Sequence, residues 1–486
     1  MTGMNKPVRH IAVFTGVLVL SLLVRATWVQ FVRSEELSSH EKNRRVAIAS
    51  FSQPRGNIIV GGRPITGSAE TGGDLKYKRT FTDGKMYAPV TGFSSQSYGS
   101  TFLEGVNNKL LSGTDDRLFL QRTTDMLTGK QRRGGDVVTT IDPKAQKAAY
   151  EGLGDRTGAV VALDPRTGKI LALASTPSYD PSVFAGSSTK DQAAWKALES
   201  DKSKPMNNRA LRETYPPGST FKIVTAAAAL ENGLYTDVDA ATDSPDPWIM
   251  PGTVTKLPNQ NPNAPCRNAS LNVAMQNSCN TVYGKVSSDL GRDTMRATAE
   301  KFGFNDEVLT PVRASKSVFP KDINKSQTAM AGIGQGSLTA TPLQVAMMTA
   351  AIANDGKLMK PYMVEELRDP DLKTIEKHRP EQLSQATSPD VAKKVQKMME
   401  DTATKGTGKA ALIDGVTVGG KTGTAERGKD QKNLAWFISY AKTDDGSPVA
   451  VAVMVDPDDS VPDDEISGGK LAGPIAKKVM QAVLGR

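Results

Sequence analysis

An uncharged apolar segment near the N-terminus is the feature that most constrains how this chain of 486 residues can fold. The run 11–24 reads IAVFTGVLVLSLLV, and apolar character continues past one arginine to Val32. Fourteen residues suit the core of a cleaved signal peptide, whereas the 22 residues up to Val32 can cross a bilayer. We expect residues 1–32 to form a cytoplasmic tail and an uncleaved transmembrane signal anchor; cleavage near Val24-Arg25-Ala26 is the alternative. The chain is therefore expected at the cell membrane as a single-pass protein, with its bulk on the extracytoplasmic side.

The basic charge of the chain is concentrated in its N-terminal part. The formal net charge is +9, and residues 1–140 carry 19 Lys and Arg against 11 Asp and Glu. Such an excess attracts nucleic acid, anionic lipid or an acidic wall polymer, although scattered surface charge is its commonest meaning. The sequence has no dense Lys/Arg block with interleaved aromatic residues, so we expect no nucleic-acid partner. Beside the apolar segment, the excess indicates a membrane.

Composition divides the exported part in two. Residues 33–50 are polar and charged, which is typical of a connector, and 51–140 are rich in Gly, Ser and Thr with short β-type runs such as NIIV and DVVTTI. We expect 33–140 to form a small, non-catalytic α+β module that acts as a pedestal. Near residue 141 the sequence changes to longer helical and strand-like patterns, which continue to the C-terminus.

Residues 141–486 have the pattern of one α/β (α+β) domain. The stretch PKAQKAAYEGL predicts a helix, and 158–175 predicts a hairpin with its turn at Asp164-Pro165-Arg166-Thr167-Gly168. The other expected elements are the helices 221–231, 271–290, 342–354, 391–404 and 472–484 and the strands 415–425, 434–440 and 449–455. Two strands, a long helical insertion, three strands and a last helix indicate an antiparallel sheet flanked by helices.

Histidine is too scarce in this chain for a conventional catalytic triad. The three histidines are His10 beside the anchor, His40 in the connector and His378 in the charged stretch KTIEKHRPEQ. A Ser-His-acid triad would have to use His378, and no Cys/His cluster has zinc-ligand spacing, so we expect no metal and no cofactor. A serine nucleophile would need another base, and lysine can serve when burial or a neighbouring cation lowers its pKa.

One Ser-x-x-Lys pattern lies at the start of an apolar helix. The pattern occurs five times, but only in YPPGSTFKIVTAAAAL, residues 215–230, does it open an apolar, Ala-rich run. Ser219 is then either a helix N-cap after two prolines, or a nucleophile whose base, Lys222, lies on the same helix face. In the second case the Ser219 N–H at the helix N-terminus can donate to a developing oxyanion. This stretch alone leaves both interpretations open.

Two further motifs carry suitable side chains. Ser278-Cys279-Asn280 offers a hydroxyl that can relay a proton and an amide that can hold a carbonyl group, although Ser270-Leu271-Asn272 has the same pattern. Lys421-Thr422-Gly423-Thr424 contains the only Lys-Thr-Gly of the chain. As a strand it offers a cation, two hydroxyls, a glycine against which a peptide can pair, and the Thr424 N–H as a second oxyanion donor. A surface lysine and ordinary strand threonines are the alternative for that motif taken alone.

Cys266 and Cys279 are the only cysteines of the chain. Because the chain is exported and they lie thirteen residues apart in a loop-rich stretch, they are a candidate disulfide. Two free or buried thiols are the alternative.

The three motifs, in this order, resemble the signature of penicillin-binding proteins and serine β-lactamases. The resemblance extends to Arg55-Gly56 and to the stretches GAVVALDPRTGKILALASTPSYDP, NNRALRETYPPGSTFK, GIGQGSLTATPLQ, AIANDGKLMKP and WFISYA. It covers essentially all of 141–486 and, more loosely, 33–140. The chain looks like a class B (monofunctional) enzyme, most similar to the actinobacterial penicillin-binding protein A group. No segment resembles the glycosyltransferase domain of class A proteins.

The resemblance implies a peptidoglycan D,D-transpeptidase that crosslinks stem peptides and that β-lactams inhibit covalently. It assigns Ser219 as the nucleophile and Lys222 as the general base. Ser278 and Lys421 would pass the proton to the leaving amine. The implied setting is cell wall synthesis in cell division and cell shape, with division or elongation membrane proteins as candidate partners.

The same resemblance assigns the residues that bind the substrate. Asn280 would position the donor peptide, and Thr422 and Thr424, on either side of Gly423, would bind its terminal carboxylate. The N–H groups of Ser219 and Thr424 would form the oxyanion hole. A D,D-carboxypeptidase or a β-lactamase with the same site is the nearest alternative, and a division scaffold with a vestigial site is an alternative of another class.

Overall fold

A computed structural model describes residues 5–38, 48, 50–130, 132–428 and 431–486. The chain begins with the helix Asn5–Phe31, followed by the short helix Ser34–Ser38. Residues 6–31 form a helix that is long and apolar enough to cross a membrane. Most of the connector expected at 33–50, and His40 with it, lies outside the described residues.

The N-terminal module consists of short strands and helices. Its strands are β1 (Ile58–Val60), β2 (Arg63–Pro64), β3 (Thr66–Glu70), β4 (Tyr77–Phe81), β5 (Ser94–Ser95), β6 (Gly99–Ser100) and β7 (Asp136–Thr139). Its helices are Gly84–Thr91, Phe102–Val106, Asn108–Leu111 and Phe119–Thr128. The mixture of strands and helices agrees with the α+β module expected here.

The larger domain contains the remaining elements. Its strands are β8 (Thr157–Leu163), β9 (Ile170–Thr176), β10 (Trp248–Ile249), β11 (Lys256–Leu257), β12 (Lys357–Met359), β13 (Val364–Arg368), β14 (Thr374–Lys377), β15 (Gln382–Gln385), β16 (Thr417–Ala425), β17 (Leu434–Thr443) and β18 (Gly446–Asp456). Its α-helices are Pro143–Leu153, Thr189–Ser200, Arg209–Arg212, Lys222–Glu231, Leu271–Asn277, Asn280–Lys301, Lys325–Gly332, Pro342–Ala353, Pro389–Lys405 and Gly473–Leu484.

A five-stranded antiparallel sheet with the order β16-β17-β18-β8-β9 forms the centre of this domain. Alternate residues of β18 belong to different cores: Val451 and Val453 pack on one side, and Ala452 and Met454 on the other. Helices Pro143–Leu153 and Gly473–Leu484 cover one face, and Pro342–Ala353 covers the other. Strands buried on both faces read as continuous apolar runs, which is why the sequence revealed them. The expected antiparallel sheet flanked by helices is confirmed.

The sheet of the N-terminal module also contains strands from the larger domain. Its order is β14-β13-β7-β1-β2, in which β13 pairs antiparallel with β7. The hairpin of β13 and β14 therefore returns from the larger domain to complete the smaller sheet. This main-chain connection joins the module to the domain that carries the three motifs.

The helix expected over 271–290 is interrupted at the second motif. Helix Leu271–Asn277 ends at Ser278, whose φ of 58° lies in the left-handed region, and a second helix begins at Asn280. A left-handed residue ends a helix because its backbone can no longer continue the hydrogen-bond ladder. The prediction of one unbroken helix was wrong, since nothing in the residue types signals that a serine adopts this conformation.

A buried carboxylate joins two parts of the N-terminal module. Glu104 accepts from the Arg55 guanidinium at 2.9 Å and from the Arg79 guanidinium at 2.6 Å, and all three side chains are almost fully shielded from solvent. Arg55 precedes β1, Arg79 lies on β4, and Glu104 lies on the helix Phe102–Val106. One carboxylate thus compensates two guanidinium groups in an apolar surrounding.

Replacing this carboxylate tests how far the module depends on it. Glu104→Ala leaves two buried guanidinium groups without their counter-ion, and we expect a loss of about 3–5 kcal/mol in the free energy of unfolding. Urea unfolding of the detergent-solubilised protein measures the loss. Glu376→Ala, which removes an exposed partner of Arg117, is the control and should cost less than about 1 kcal/mol. Equal losses of unfolding free energy in the two variants would contradict the role of Glu104 as the buried counter-ion of Arg55 and Arg79.

Candidate functional site

The turn that contains Ser219 precedes the apolar helix Lys222–Glu231. Residues Gly218–Phe221 form a single 3₁₀ turn, and Gly218 has a φ of 55°. Ser219 is half-buried, and its side chain makes no capping hydrogen bond. The interpretation of Ser219 as a helix N-cap is therefore wrong. The turn instead places its hydroxyl at the mouth of a cleft.

The Lys222 amine is fully buried beneath this turn. It donates to the Ser278 carbonyl oxygen and to Asn280 Oδ1, both at 2.7 Å, and lies 3.3 Å from Ser278 Oγ. A neutral amine has two N–H bonds, which these two short contacts use, and its lone pair remains available to accept a proton. Within the described residues the Ser219 hydroxyl has no hydrogen bond, so the direct Ser219–Lys222 contact that the sequence suggested is not formed here.

Ser278 Oγ lies between two lysine amines. It accepts from Lys421 Nζ at 2.9 Å on one side and lies near Lys222 Nζ on the other. Lys421 also donates to the Thr422 carbonyl oxygen at 2.9 Å. The left-handed backbone of Ser278 gives this arrangement, because it turns the side chain out of the helix and towards β16.

Burial changes the pKa of both amines. Burial, aided by the nearby Lys421 cation, holds the pKa of Lys222 well below its ordinary value. Burial alone lowers the pKa of Lys421 to about 7. Neither lysine has a carboxylate partner among the described residues. At neutral pH the pair therefore favours a neutral Lys222, which can act as a base, next to an amine that exchanges its proton easily.

The third motif lies on the edge strand of the central sheet. Among the strands that the structure describes, β16 pairs only with β17, so no described strand occupies its outer side. A Cβ at Gly423 would lie 2.9 Å from Thr220 Cγ2 and from Trp436 Cβ. The glycine is thus required by packing against the Ser219 turn, which brings the edge strand close to the nucleophile. This packing role was not expected from the sequence.

The hydroxyls of this motif are held by neighbours. Thr422 Oγ1 lies 2.8 Å from Thr407 Oγ1, and Thr424 Oγ1 accepts from Gln260 Nε2 at 3.3 Å. Both threonines are half-buried. Both hydroxyls therefore keep partial exposure to solvent, and Thr424 lines the cleft beside Ser219.

Asn280 is positioned by residues that the sequence analysis did not identify. Its backbone N–H donates to Asn259 Oδ1 at 2.7 Å, and its Nδ2 donates to the Pro258 carbonyl oxygen at 2.8 Å. Asn259 in turn donates to Asp246 at 2.8 Å. The loop around 258–260 thus fixes the amide that contacts Lys222. No motif marks this loop, so it could not be identified from the residue types alone.

The structure joins Cys266 and Cys279 in a disulfide. Cys279 lies between Ser278 and Asn280, and both cysteines are fully buried. The bond ties the loop that contains 258–260 to the break between the two helices. It therefore restricts the backbone on either side of Ser278.

The cleft beside Ser219 has a volume of about 320 Å³. Ser219, Asn280 and Thr424 line it, while Lys222 and Lys421 lie buried beneath. The other lining residues are Leu257, Pro258, Asn259, Gln260, Met330, Ile333, Gln335, Glu426 and Asn433. A single cleft thus brings together residues from all three motifs.

The competing candidates from the sequence lie elsewhere. Ser270 caps the helix Leu271–Asn277 by accepting from the Val273 N–H, and Asn272 donates to Asp239 and Asp401. The second Ser-x-Asn pattern is therefore structural. His378 stacks on Tyr362 and lines a different cavity, so it takes no part in the Ser219 cleft.

Comparison with known proteins agrees with this geometry. Residues 158–481 match the penicillin-binding protein transpeptidase domain, and 55–137 match the penicillin-binding protein A dimerisation domain. The peptidoglycan D,D-transpeptidase PbpA of Mycolicibacterium smegmatis is 40% identical, and that of Mycobacterium tuberculosis 39% identical, with 99% of each chain covered. The chain belongs to the class B penicillin-binding protein transpeptidases.

Solved structures of such transpeptidases share the fold of this one. Penicillin-binding protein A from M. tuberculosis superposes with a TM-score of 0.83 in its imipenem acyl-enzyme complex and in its penicillin G acyl-enzyme complex, at 38% identity. The imipenem complex covers 90% of this chain and the penicillin G complex 89%, and each covers all of the solved chain. The family resemblance proposed from the motifs is confirmed. The domain limits at residues 32 and 140 stay predictions.

The Ser219 turn of this class B protein packs closely against Gly334 in the stretch GIGQGS. The Gly218 N–H donates to the Gly334 carbonyl oxygen at 2.9 Å, and Gly334 has a φ of 79°. A Cβ at Gly334 would lie 1.9 Å from the Gly218 carbonyl oxygen. Only glycine fits there without moving the turn that holds the nucleophile.

Gly334→Ala should therefore destabilise the protein more than a matched substitution. Gly336→Ala is the control, because Gly336 also has a positive φ but its Cβ would lie 3.5 Å from the nearest atom. In both variants an alanine must adopt a left-handed backbone conformation, which costs about 1–2 kcal/mol. Only in Gly334→Ala does the added Cβ also clash with the Gly218 carbonyl oxygen. We expect a larger fall in melting temperature and faster amide exchange over 218–222 for Gly334→Ala. Equal effects would show that the close contact is not real.

Proposed function

We propose that this protein is a membrane-anchored peptidoglycan D,D-transpeptidase that works through an acyl-Ser219 intermediate. The observation that carries the proposal is the convergence of two buried lysine amines on Ser278 beside the cleft that Ser219 lines. The similar PbpA proteins bear the name peptidoglycan D,D-transpeptidase. The proposed substrate is accordingly a stem peptide that ends in D-Ala-D-Ala.

In the first step Ser219 Oγ attacks the carbonyl carbon of the penultimate D-Ala. The hydroxyl proton passes to the neutral Lys222 amine. This transfer can take one of two routes: Ser219 Oγ moves within hydrogen-bond distance of Lys222, or the proton travels through the Ser278 hydroxyl. The N–H groups of Ser219 and Thr424 donate to the oxyanion, and removing one such donor typically costs about 10²–10³ in rate. The tetrahedral intermediate then collapses to the acyl-enzyme.

Collapse breaks the C–N bond, and the leaving amine of the terminal D-Ala must gain a proton. Ser278 Oγ is placed to deliver it, since Lys421 donates to this oxygen at 2.9 Å and can replace the proton. The proton first taken from Ser219 can pass from Lys222 to Ser278 Oγ, 3.3 Å away, and so replace the proton that Ser278 delivers. The two lysines and Ser278 therefore form a proton path with no histidine.

The edge strand and Asn280 would bind the donor peptide. The free side of β16 at Gly423 can pair with an extended peptide backbone, while the Thr422 and Thr424 hydroxyls donate to the terminal carboxylate and the Lys421 charge attracts it. The Asn280 side chain, held by the Pro258 carbonyl oxygen, would orient the peptide amide. An amine of a neighbouring stem peptide then attacks the acyl carbon, forms the crosslink and releases Ser219.

The remaining parts of the proposal concern location and partners. The apolar helix at 6–31 would be a single-pass anchor, with the catalytic domain on the extracytoplasmic side where peptidoglycan lies. Cell division and cell shape are the proposed settings, with division or elongation membrane proteins as partners. β-Lactams would acylate Ser219, as the acyl-enzyme complexes of the similar M. tuberculosis protein suggest.

Labelling with a fluorescent penicillin tests the nucleophile. We expect a long-lived covalent adduct on the wild-type protein and none on Ser219→Ala, because the acyl bond can form only with that hydroxyl. Ser187→Ala is the matched control, since Ser187 begins an exposed Ser-x-x-Lys pattern outside the cleft, and it should label like wild type. Gel fluorescence followed over hours measures adduct formation and loss.

Each other result of this experiment favours a different function. An adduct that is lost rapidly indicates a β-lactamase, and the absence of any adduct on wild type indicates a vestigial site in a scaffold protein. A stem-peptide assay with and without an acceptor amine separates transpeptidase from D,D-carboxypeptidase activity. Release of D-Ala without any crosslinked product would favour the carboxypeptidase.

The pH dependence of acylation tests the roles of the lysines. The reaction needs Lys222 neutral, so the second-order rate constant rises as the pH passes the lowered pKa of that amine. It also needs Lys421 charged, so the rate constant falls as the pH rises through about 7, where Lys421 loses its proton. The second-order rate constant of penicillin acylation, measured from about pH 5 to 9, reports the ionisation of both lysines in the free enzyme.

Lys421→Arg tests whether Lys421 causes the fall of the acylation rate constant above neutral pH. A guanidinium keeps its proton throughout this range, so the fall above neutral pH should disappear even if the maximal rate is lower. Lys442→Arg, at an exposed position near the end of β17, is the control and should keep the wild-type profile. An unchanged falling limb in Lys421→Arg would assign that ionisation to another group.

A further inference from the structure

The helix Phe119–Thr128 of the N-terminal module packs with its polar side towards the protein. Asp125 is only 8% exposed, whereas Phe119, Met126 and Leu127 are 62%, 64% and 81% exposed. Residues seven and eight positions apart lie on one side of a helix, so these three side chains form one apolar face. Surface helices normally bury such a face. The reversed orientation leaves this apolar face exposed to solvent.

This helix lies where the chain enters the module from the membrane anchor. Ser52 and Gln53, which follow the connector, line a cavity of about 200 Å³ together with Gln121 and Arg122 of the helix. Eighteen residues separate Val32 from Phe51, and such a segment spans at most about 65 Å even when fully extended. The anchor therefore tethers this end of the module within about 65 Å of the end of the apolar helix.

The charge of the module is compatible with contact to an anionic lipid surface. Residues 33–140 carry 16 Lys and Arg against 11 Asp and Glu. Three basic residues, Lys130, Arg132 and Arg133, directly follow the helix, although Lys130 and Arg133 also pair with Asp371 and Asp136. Because these basic residues lie beside the apolar face, anionic lipid would attract this side of the module.

We propose that the apolar face of Phe119, Met126 and Leu127 is a membrane-contact surface that inserts into the interfacial region of an anionic bilayer. Aromatic and leucine side chains beside basic residues are typical of helices that lie in this region. Because the anchor tethers the face within reach of the bilayer, a weak intrinsic affinity suffices to keep it inserted. Insertion fixes the distance and tilt of the module, and hence the position of the Ser219 cleft above the membrane.

The full chain reconstituted in nanodiscs tests this surface. Leu127→Cys, labelled with an environment-sensitive dye under non-reducing conditions, should show a blue-shifted emission that nitroxide lipids quench strongly. Val254→Cys, at a fully exposed position of the catalytic domain, is the control and should show neither effect. Discs of phosphatidylcholine with phosphatidylglycerol should quench more than discs of phosphatidylcholine alone. Adding Phe119→Ser and Met126→Ser should abolish the quenching, while labelling by fluorescent penicillin shows that the catalytic domain is folded.

Two results would overturn the membrane-contact surface. The first is emission from Leu127→Cys that nitroxide lipids quench no more than that from Val254→Cys. The second is a disulfide-linked dimer through unlabelled Leu127→Cys in discs that hold two copies, which would place a second copy of the chain on this face. Neither result depends on the transpeptidase activity, so the surface and the proposed function are tested separately.

Discussion

The close approach of two buried lysine amines is the constraint on which the rest of the site depends. Lys222 and Lys421 each lie within 3.3 Å of Ser278 Oγ, so their nitrogen atoms are at most about 6 Å apart. At that separation two positive charges repel by about 3 kcal/mol at an effective dielectric constant of about 20. Burial is the main cause of the lowered pKa of each amine, and this repulsion lowers the pKa of Lys222 further, so the pair favours carrying one proton between them.

The fold supplies the rigidity that this unfavourable pair needs. Three elements hold it: the helix that carries Lys222, the edge strand that carries Lys421, and the break between two helices at Ser278. Gly423 and Gly334 permit the strand and the neighbouring loop to pack against the Ser219 turn without a side chain between them. The disulfide at Cys279 restricts the backbone at the break. A looser arrangement would let the amines separate or admit water, and both would restore their ordinary pKa.

The sequence predicts the framework of this site better than its details. The runs 434–440 and 449–455 are apolar throughout because both faces of the strands are buried, so the sheet was recognisable. The left-handed conformation of Ser278 and the 3₁₀ turn at Ser219 were not, because packing across the chain selects them. Asn259 was missed for the same reason: its partner Asn280 lies 21 residues away and neither residue type marks a contact.

Binding of the substrate carboxylate links recognition to catalysis in the proposed mechanism. A carboxylate at Thr422 and Thr424 is a counter-ion for Lys421 and raises its pKa from about 7, so the shared proton stays on that amine. Repulsion then keeps Lys222 neutral, which is the state that accepts the proton of Ser219. A ligand without a terminal carboxylate would leave the pKa of Lys421 at about 7, so that this amine loses its proton more readily. The same charge that selects a D-Ala-D-Ala terminus or a β-lactam therefore prepares the base that begins the reaction.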